Sequence, residues 1–314
     1  MSDIKLFSLH SGQVIELAGK SALLEKHLQE QIELHMDVFL GVHFLATEYG
    51  TGKTHKGRID SLGLDENGCP VIVEYKRHSN ENVINQGLFY LDWLLDHQAE
   101  FKWLVMEKLG KDAADTIEWG GTRLICIATD FNRYDEHAVQ QINRNIELMR
   151  YRYFGADLLL LELVNAQTAS EPIVAVGMDT TIESTAAVGE KRPSRDKTQQ
   201  ERLAEASPEL STLYDLACQF IEQLGDEVQR KELKLYTAFT RIRNFSSVLV
   251  TPSRKDPRLQ IYLKLPGDRA ENNDFSRDVS QIGHWGVGNL EINVRSIADL
   301  ERAKPLILEC YLTS

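Results

Sequence analysis

With 314 residues, 42% of them hydrophobic and 26% charged, the chain is long enough for two folded domains and has a globular composition. No apolar run approaches the ~20 residues that cross a bilayer, and the N-terminus lacks a basic segment followed by an apolar one. A net charge of −12 excludes a protein that coats nucleic acid indiscriminately, but not one that holds a metal on carboxylates beside a local basic lining.

No membrane partner and no secretory signal are expected, so a cytoplasmic protein is the default. Cys69, Cys126, Cys218 and Cys310 have neither zinc-ligand nor disulfide-framework spacing and are expected as buried, reduced thiols.

The elements follow in chain order. Leu24, Leu28 and Ile32 recur at helical spacing and predict an amphipathic helix over 21–35, with Ser21 at the N-cap position. Short apolar runs over 42–46, 58–64 and 70–76 read as strands. The last two flank Asp65-Glu66-Asn67-Gly68, a hairpin signal. Helices are expected over 81–97 and 101–109, then a buried strand over 124–128, a long helix over 135–151 and a strand over 157–164. Helices between strands, with one hairpin, predict a mixed α/β sheet in residues 1–165.

From 166 to 208 the composition turns to Thr, Ser, Ala, Glu, Lys and Arg. Aromatics vanish, and helical periodicity returns only over 199–206. A linker of roughly 40 residues is expected here. Residues 209–314 then form a second, smaller α+β domain. Its expected elements are a helix over 210–224 ended by Gly225, strands over 235–239, 245–251, 260–265 and 290–294, and a terminal helix over 297–312. Charge is uneven between the two parts. Residues 209–314 carry 14 Lys+Arg against 15 Asp+Glu, so nearly all the net charge lies before them. Within 230–277 there are 11 basic and 5 acidic residues, interleaved with Tyr236, Phe239, Phe245, Tyr262 and Phe275. That stretch is a candidate nucleic-acid face.

The hairpin carries the chemistry. Residues equidistant from a turn centred on Asn67 oppose each other, so Asp60 and Glu74 should be cross-strand neighbours on one face. Lys76, two residues beyond Glu74, shares that face. Opposed carboxylates repel, and a divalent cation relieves the repulsion. Hard oxygen ligands suit Mg²⁺ or Mn²⁺. Lys76 would then orient an attacking water or stabilise charge on a phosphate, a constellation suited to phosphodiester hydrolysis.

Asp60, thirteen residues, then Glu74-Tyr75-Lys76 resembles the PD-(D/E)xK nuclease superfamily, with its restriction-endonuclease-like fold. The superfamily's leading Pro-Asp is Ile59-Asp60 here. The segments 57–68, Val71-Ile72-Val73-Glu74-Tyr75-Lys76-Arg77 and Gln86-Gly87-Leu88-Phe89-Tyr90 resemble its NucS-like and related uncharacterised branch. The resemblance covers residues 20–165 and implies a metal-dependent nuclease, with DNA the expected substrate and repair or defence the expected setting. It implies that Asp60 and Glu74 bind metal, with the carbonyl of Tyr75 as a further ligand. Lys76 would act on water, and Glu25, chosen over Glu30 and Glu33, would join the site from the first helix with Gln86. Tyr90, Arg77 and Arg58 would face substrate. A homodimer would let two sites act on two strands. The alternative is a nuclease-fold module that binds nucleic acid or a protein without cutting.

Three smaller signals stand apart. Gly50-Thr51-Gly52-Lys53-Thr54 looks faintly like a phosphate loop but lacks the upstream glycine, so a turn tip is expected, with Lys53, His55 and Lys56 able to brush a backbone. His78, like Arg77, follows the catalytic strand. Gly283-His284-Trp285-Gly286-Val287-Gly288-Asn289 resembles an uncharacterised domain fused behind such nucleases, with Trp285 expected buried and His284 hydrogen-bonded.

Overall fold

The register of the central hairpin sets the architecture. Strand β5 (Arg58–Asp65) pairs antiparallel with β6 (Pro70–Tyr75), Ser61 opposite Val73 and Leu64 opposite Pro70, as a turn centred near Asn67 requires. Asp65 builds that turn. Its Oδ1 accepts the N–H groups of Asn67 and Cys69 at 2.9 Å, and Gly68 supplies the positive φ of 77°. The computed structural model describes residues 4–10, 13–22, 24–52, 56–77, 83–169, 196–265 and 269–314.

Around the hairpin, β3 (Gly19–Lys20), β4 (Val42–Gly50), β7 (Arg123–Ala128), β8 (Asn145–Phe154) and β9 (Leu158–Gln167) complete a mixed sheet of order β3-β8-β7-β6-β5-β4, with β9 on the other edge of β8. Strands β6, β7 and β8 run parallel, and the other pairs are antiparallel. A separate two-stranded hairpin, β1 (Leu6–His10) with β2 (Gln13–Leu17), precedes them. Strands β6 and β7, in the middle of the sheet, are buried along their whole length and mostly apolar.

Helices α1 (Glu25–Leu34) and α2 (Met36–Leu40) come before β4. Helices α3 (Val83–Asp96), α4 (Gln98–Leu109) and α5 (Lys111–Asp115) form the crossover from β6 to β7. Helix α3 packs tightly on the sheet at Gly87, where an added Cβ would lie 2.5 Å from Leu124 Cδ1. Gly87→Ala is therefore expected to cost about 1–3 kcal/mol through overpacking, read as a lower urea midpoint.

Two expectations are corrected here. Helix α1 starts at Glu25, with Leu24 as N-cap and no side-chain cap bond, so Ser21 does not cap it. The long helix expected over 135–151 is instead a short helix α6 (Arg133–Gln140) followed by β8. Asn132 caps α6 with a reciprocal box to Asp135. The chain then turns into a strand buried along most of its length between β7 and β9, and so lacks the alternation by which half-buried strands are read.

The chain divides into two compact units, Met1–Ile173 and Val174–Ser314. The second holds the antiparallel sheet β10 (Gln229–Glu232), β11 (Thr237–Thr240), β12 (Asn244–Thr251), β13 (Arg258–Leu263), β15 (Leu290–Val294) and β14 (Ser276–Asp278), in that spatial order. Helices α8 (Pro208–Glu222) and α9 (Ile297–Thr313) build its core with Val248, Ile261 and Ile292. The described part of this unit begins inside the stretch expected as linker. Helix α7 (Gln199–Ala204) is capped by Thr198, and Gln199 is buried, donating to the Val248 carbonyl and accepting from the Val250 N–H. Residues 170–195 of that stretch lie outside the described residues.

All four cysteines are buried, and none of them is in a disulfide. Among the described residues, no helix is long and apolar enough to cross a membrane.

Candidate active site

Where β5 and β6 part, side chains take over from the ladder. The Asp60 N–H donates to Glu74 Oε1 at 3.2 Å, and the Tyr75 N–H donates to Asp60 Oδ2 at 3.0 Å. The two carboxylates thus meet as the register requires. Glu74 is fully buried, and its Oε2 finds no hydrogen-bond partner. Burial, and then the neighbouring Asp60 charge, push Glu74 up to about 9 despite the opposing pull of the Asp60 N–H and Lys76. Burial also raises Asp60, against the Tyr75 N–H and Lys76.

Lys76 follows the end of β6, where its N–H donates to the Ile127 carbonyl. Its Nζ lies 3.5 Å from Glu25 Oε1. Burial would lower this ammonium's pKa, but Glu25, Asp60 and Glu74 together outweigh it and hold Lys76 above the ordinary lysine value. It therefore stays a cation at neutral pH. Glu25, the first residue of α1, also accepts the Arg77 N–H at 3.0 Å on Oε2, so one carboxylate holds both the lysine and the backbone after it. Arg77 is half-buried, and its Nε has no partner.

The remaining expected residues form a second group at the start of β5. The Arg58 N–H donates to the Tyr90 hydroxyl at 3.1 Å, and Gln86 Nε2 lies 3.4 Å from the same oxygen. Gly57 packs directly on the Tyr90 ring, which fixes where β5 begins. The Arg58 side chain is exposed and ion-paired with Glu48, which also pairs with Lys26 at 3.4 Å. His78, Lys53 and His55 lie outside the described residues.

Residues that sequence reasoning passed over also surround the carboxylates. Ser61 Oγ donates to Glu33 Oε1 at 2.6 Å and lies 3.2 Å from the Tyr75 hydroxyl, and Gln29 Nε2 donates to the Asp60 carbonyl at 2.8 Å. Gln29 and Glu33 are one turn apart on α1 and follow Glu25 by one and two turns. That shared face was the available signal.

In the second unit, five of the eleven basic residues of the 230–277 stretch are held in ion pairs. Arg230, Arg241, Arg258, Arg269 and Arg277 pair with Glu232, Glu227, Asp256, Glu309 and Glu291. Trp285, expected buried, is 39% exposed. His284 stacks on Tyr262 at 4.7 Å and is hydrogen-bonded to the Ile282 carbonyl.

Taken together, the first unit is a mixed α/β fold that presents a fully buried glutamate and a half-buried aspartate beside a lysine at the open end of a hairpin. No known family model matches the chain. An uncharacterised protein of Haemophilus influenzae is 28% identical over 308 residues, covering 97% of this chain and 98% of that one. Two solved structures are similar in part. A repair endonuclease from Pyrococcus abyssi aligns over 42% of this chain and 49% of its own, at 18% identity and a TM-score of 0.27. An EndoMS–dsDNA2 complex aligns over 44% and 50%, at 18% identity and a TM-score of 0.25. The chain thus spans about half the length of the solved structures it matches.

Proposed function

We propose that the first unit is a metal-dependent nuclease that hydrolyses nucleic-acid phosphodiester bonds, with DNA as substrate and Mg²⁺ or Mn²⁺ as cofactor. The observation that carries this reading is the buried, unpartnered Oε2 of Glu74 beside the Asp60 carboxylate. A buried oxygen without a donor is costly, and so is a second carboxylate against it; a hard divalent cation removes both penalties. Among the described residues, no three His, Cys, Asp or Glu side chains form a ligand cluster. Two carboxylates, a backbone carbonyl and solvent suit Mg²⁺, which is held by few protein ligands, better than a closed structural site.

In this reading Asp60 and Glu74 hold the ion, with the Tyr75 carbonyl beside them. The ion supplies Lewis acidity toward a phosphoryl oxygen and offsets the charge of both carboxylates. Lys76 orients the attacking water and stabilises charge developing on the phosphate, while Glu25 fixes the direction of its ammonium. Arg77, with its free Nε, and Arg58 contact substrate phosphates. Gln86 and Tyr90 hold the start of β5 in place.

The test is cleavage of a panel of plasmid, single-stranded, branched and mismatched DNA, and RNA, each with Mg²⁺ or Mn²⁺. Activity is expected to need metal and to fall by about 10²–10³ or more in Lys76→Ala and Glu74→Ala. Activity surviving in both variants would place the chemistry elsewhere. Nucleic acid bound but never cut would favour the second reading, a non-cutting module on the same fold.

A further inference from the structure

We infer that Gln29 is a positioning residue for Asp60, taking the place of a sheet hydrogen bond that this strand lacks; the inference rests on the nuclease reading above. Strand β5 lies inside the sheet, yet its pairing skips Asp60. Against β4 the register runs Thr47 opposite Ser61 and then Tyr49 opposite Ile59, and the intervening Glu48 has a φ of 50°. Against β6 the register stops at Ser61 opposite Val73. Side chains hold the backbone of Asp60 instead. Its N–H goes to Glu74 Oε1 and its carbonyl accepts from Gln29 Nε2 at 2.8 Å.

Gln29 can do this because it is itself held. It is 3% exposed, and Nε2 lies 2.9 Å from Glu33 Oε1 and 3.2 Å from Thr47 Oγ1. An amide nitrogen has two hydrogens, and the two shortest contacts, to Asp60 and Glu33, take them. Glu33 in turn accepts from Ser61 Oγ at 2.6 Å, the residue after Asp60 on the same strand. Helix α1 therefore grips β5 at two successive residues, through Gln29 at the Asp60 carbonyl and through Glu33 at the Ser61 hydroxyl. The same helix carries Glu25, which holds Lys76 and the Arg77 N–H. One helix face sets the carboxylate and the lysine relative to each other. A carboxylate displaced by about 1 Å loses on the order of 10²-fold in rate, so the loss of this grip should be visible.

The experiment uses the full-length chain with Mn²⁺, in two readouts. The first is Mn²⁺ binding without nucleic acid, followed by the electron paramagnetic resonance of free Mn²⁺. The second is kcat and KM on the DNA of the panel that wild type cuts best. Gln29→Leu keeps the side-chain bulk but cannot donate. It is expected to weaken Mn²⁺ binding about tenfold and to lower kcat about 30- to 100-fold, with KM within about threefold. Thr47→Val, which removes only the longest contact, should match wild type in both. If Gln29→Leu does not fold, Glu33→Leu removes the other acceptor of the same amide nitrogen and should lower both readouts in the same direction. Wild-type Mn²⁺ affinity and kcat in the folded variant overturn the inference. A wild type that neither binds Mn²⁺ nor cuts overturns the nuclease reading itself, and the two failures are distinguishable.

Discussion

Glu74→Gln is expected to abolish cleavage and at the same time to stabilise the metal-free protein. The two effects share one cause. Glu74 sits fully buried against Asp60 with one oxygen unpartnered, which is why its proton is held up to about 9. A carboxyl whose folded pKa lies above its unfolded value contributes stability that is complete below the unfolded value of 4.5 and is lost as pH rises through the folded one. In that window the unfolded chain has released a proton that the folded chain keeps, so unfolding free energy falls with pH by up to about 1.4 kcal/mol per unit. Asp60, also raised by burial, adds a slope of the same sign. Lys76, raised as well, keeps its stabilising charge throughout the window and loses it only above the ordinary lysine range.

Chelated wild-type protein should therefore melt progressively lower from pH 5 to pH 8.5. Glu74→Gln, whose amide can still accept the Asp60 N–H and can offer its own N–H to the carboxylate, should be nearly flat. At pH 8 it should exceed wild type by a few kcal/mol. Added Mn²⁺ should raise the wild-type melting temperature more at pH 8 than at pH 6, because the ion needs both carboxylates deprotonated. It should leave Glu74→Gln almost unmoved. A wild-type profile that rises from pH 5 to pH 8.5 in chelator would contradict the burial argument, whatever the fate of activity.

Much of this site was legible in the sequence because it depends on one short-range fact. A turn of known centre and a two-residue period place Asp60 opposite Glu74, and no tertiary contact is needed. Glu25 was reached only through a resemblance, since nothing local says that the start of α1 lies beside Lys76. Gln29 and Glu33 share its helix face, but that face does not say which strand it meets. Their role arises from α1 crossing β5 at the point where Glu48 breaks the ladder, and a left-handed φ at a glutamate has no sequence signature. The boundary between α6 and β8 was misread because a strand buried almost throughout its length shows no alternation. In the basic stretch of the second unit, the pairs of Arg269 with Glu309 and Arg277 with Glu291 were not legible because those partners are remote in sequence or on a different strand.

Arg123→Leu should be the most damaging single substitution in the first unit outside its apolar core, yet it should leave catalytic chemistry intact. Arg123 opens β7 and is 2% exposed. Its Nη1 donates to both oxygens of Glu147, at 2.9 and 3.0 Å, and its Nε lies 3.3 Å from Asp65 Oδ2. Both carboxylates are buried, Glu147 at 1% and Asp65 at 5% exposure. Their charge raises the guanidinium despite the opposing effect of burial, which is the larger single influence. Removing the arginine takes the guanidinium away from two buried carboxylates, and such a break costs about 3–5 kcal/mol. Removing Glu147 as well should restore most of it, because an apolar pair of similar volume replaces a desolvated ion pair at little cost. Asp65 keeps the N–H groups of Asn67 and Cys69 in either variant. Urea unfolding of Arg123→Leu and of Arg123→Leu with Glu147→Met decides the matter through the transition of the first unit. In the parallel register Arg123 aligns with Val71 and Glu74 with Cys126, so the charge cluster lies at the end of the sheet away from the carboxylate pair. The folded fraction of the single variant should cut at the wild-type rate. A double variant as unstable as the single one would show that Arg123 acts through packing of its stem, not through the charges it neutralises.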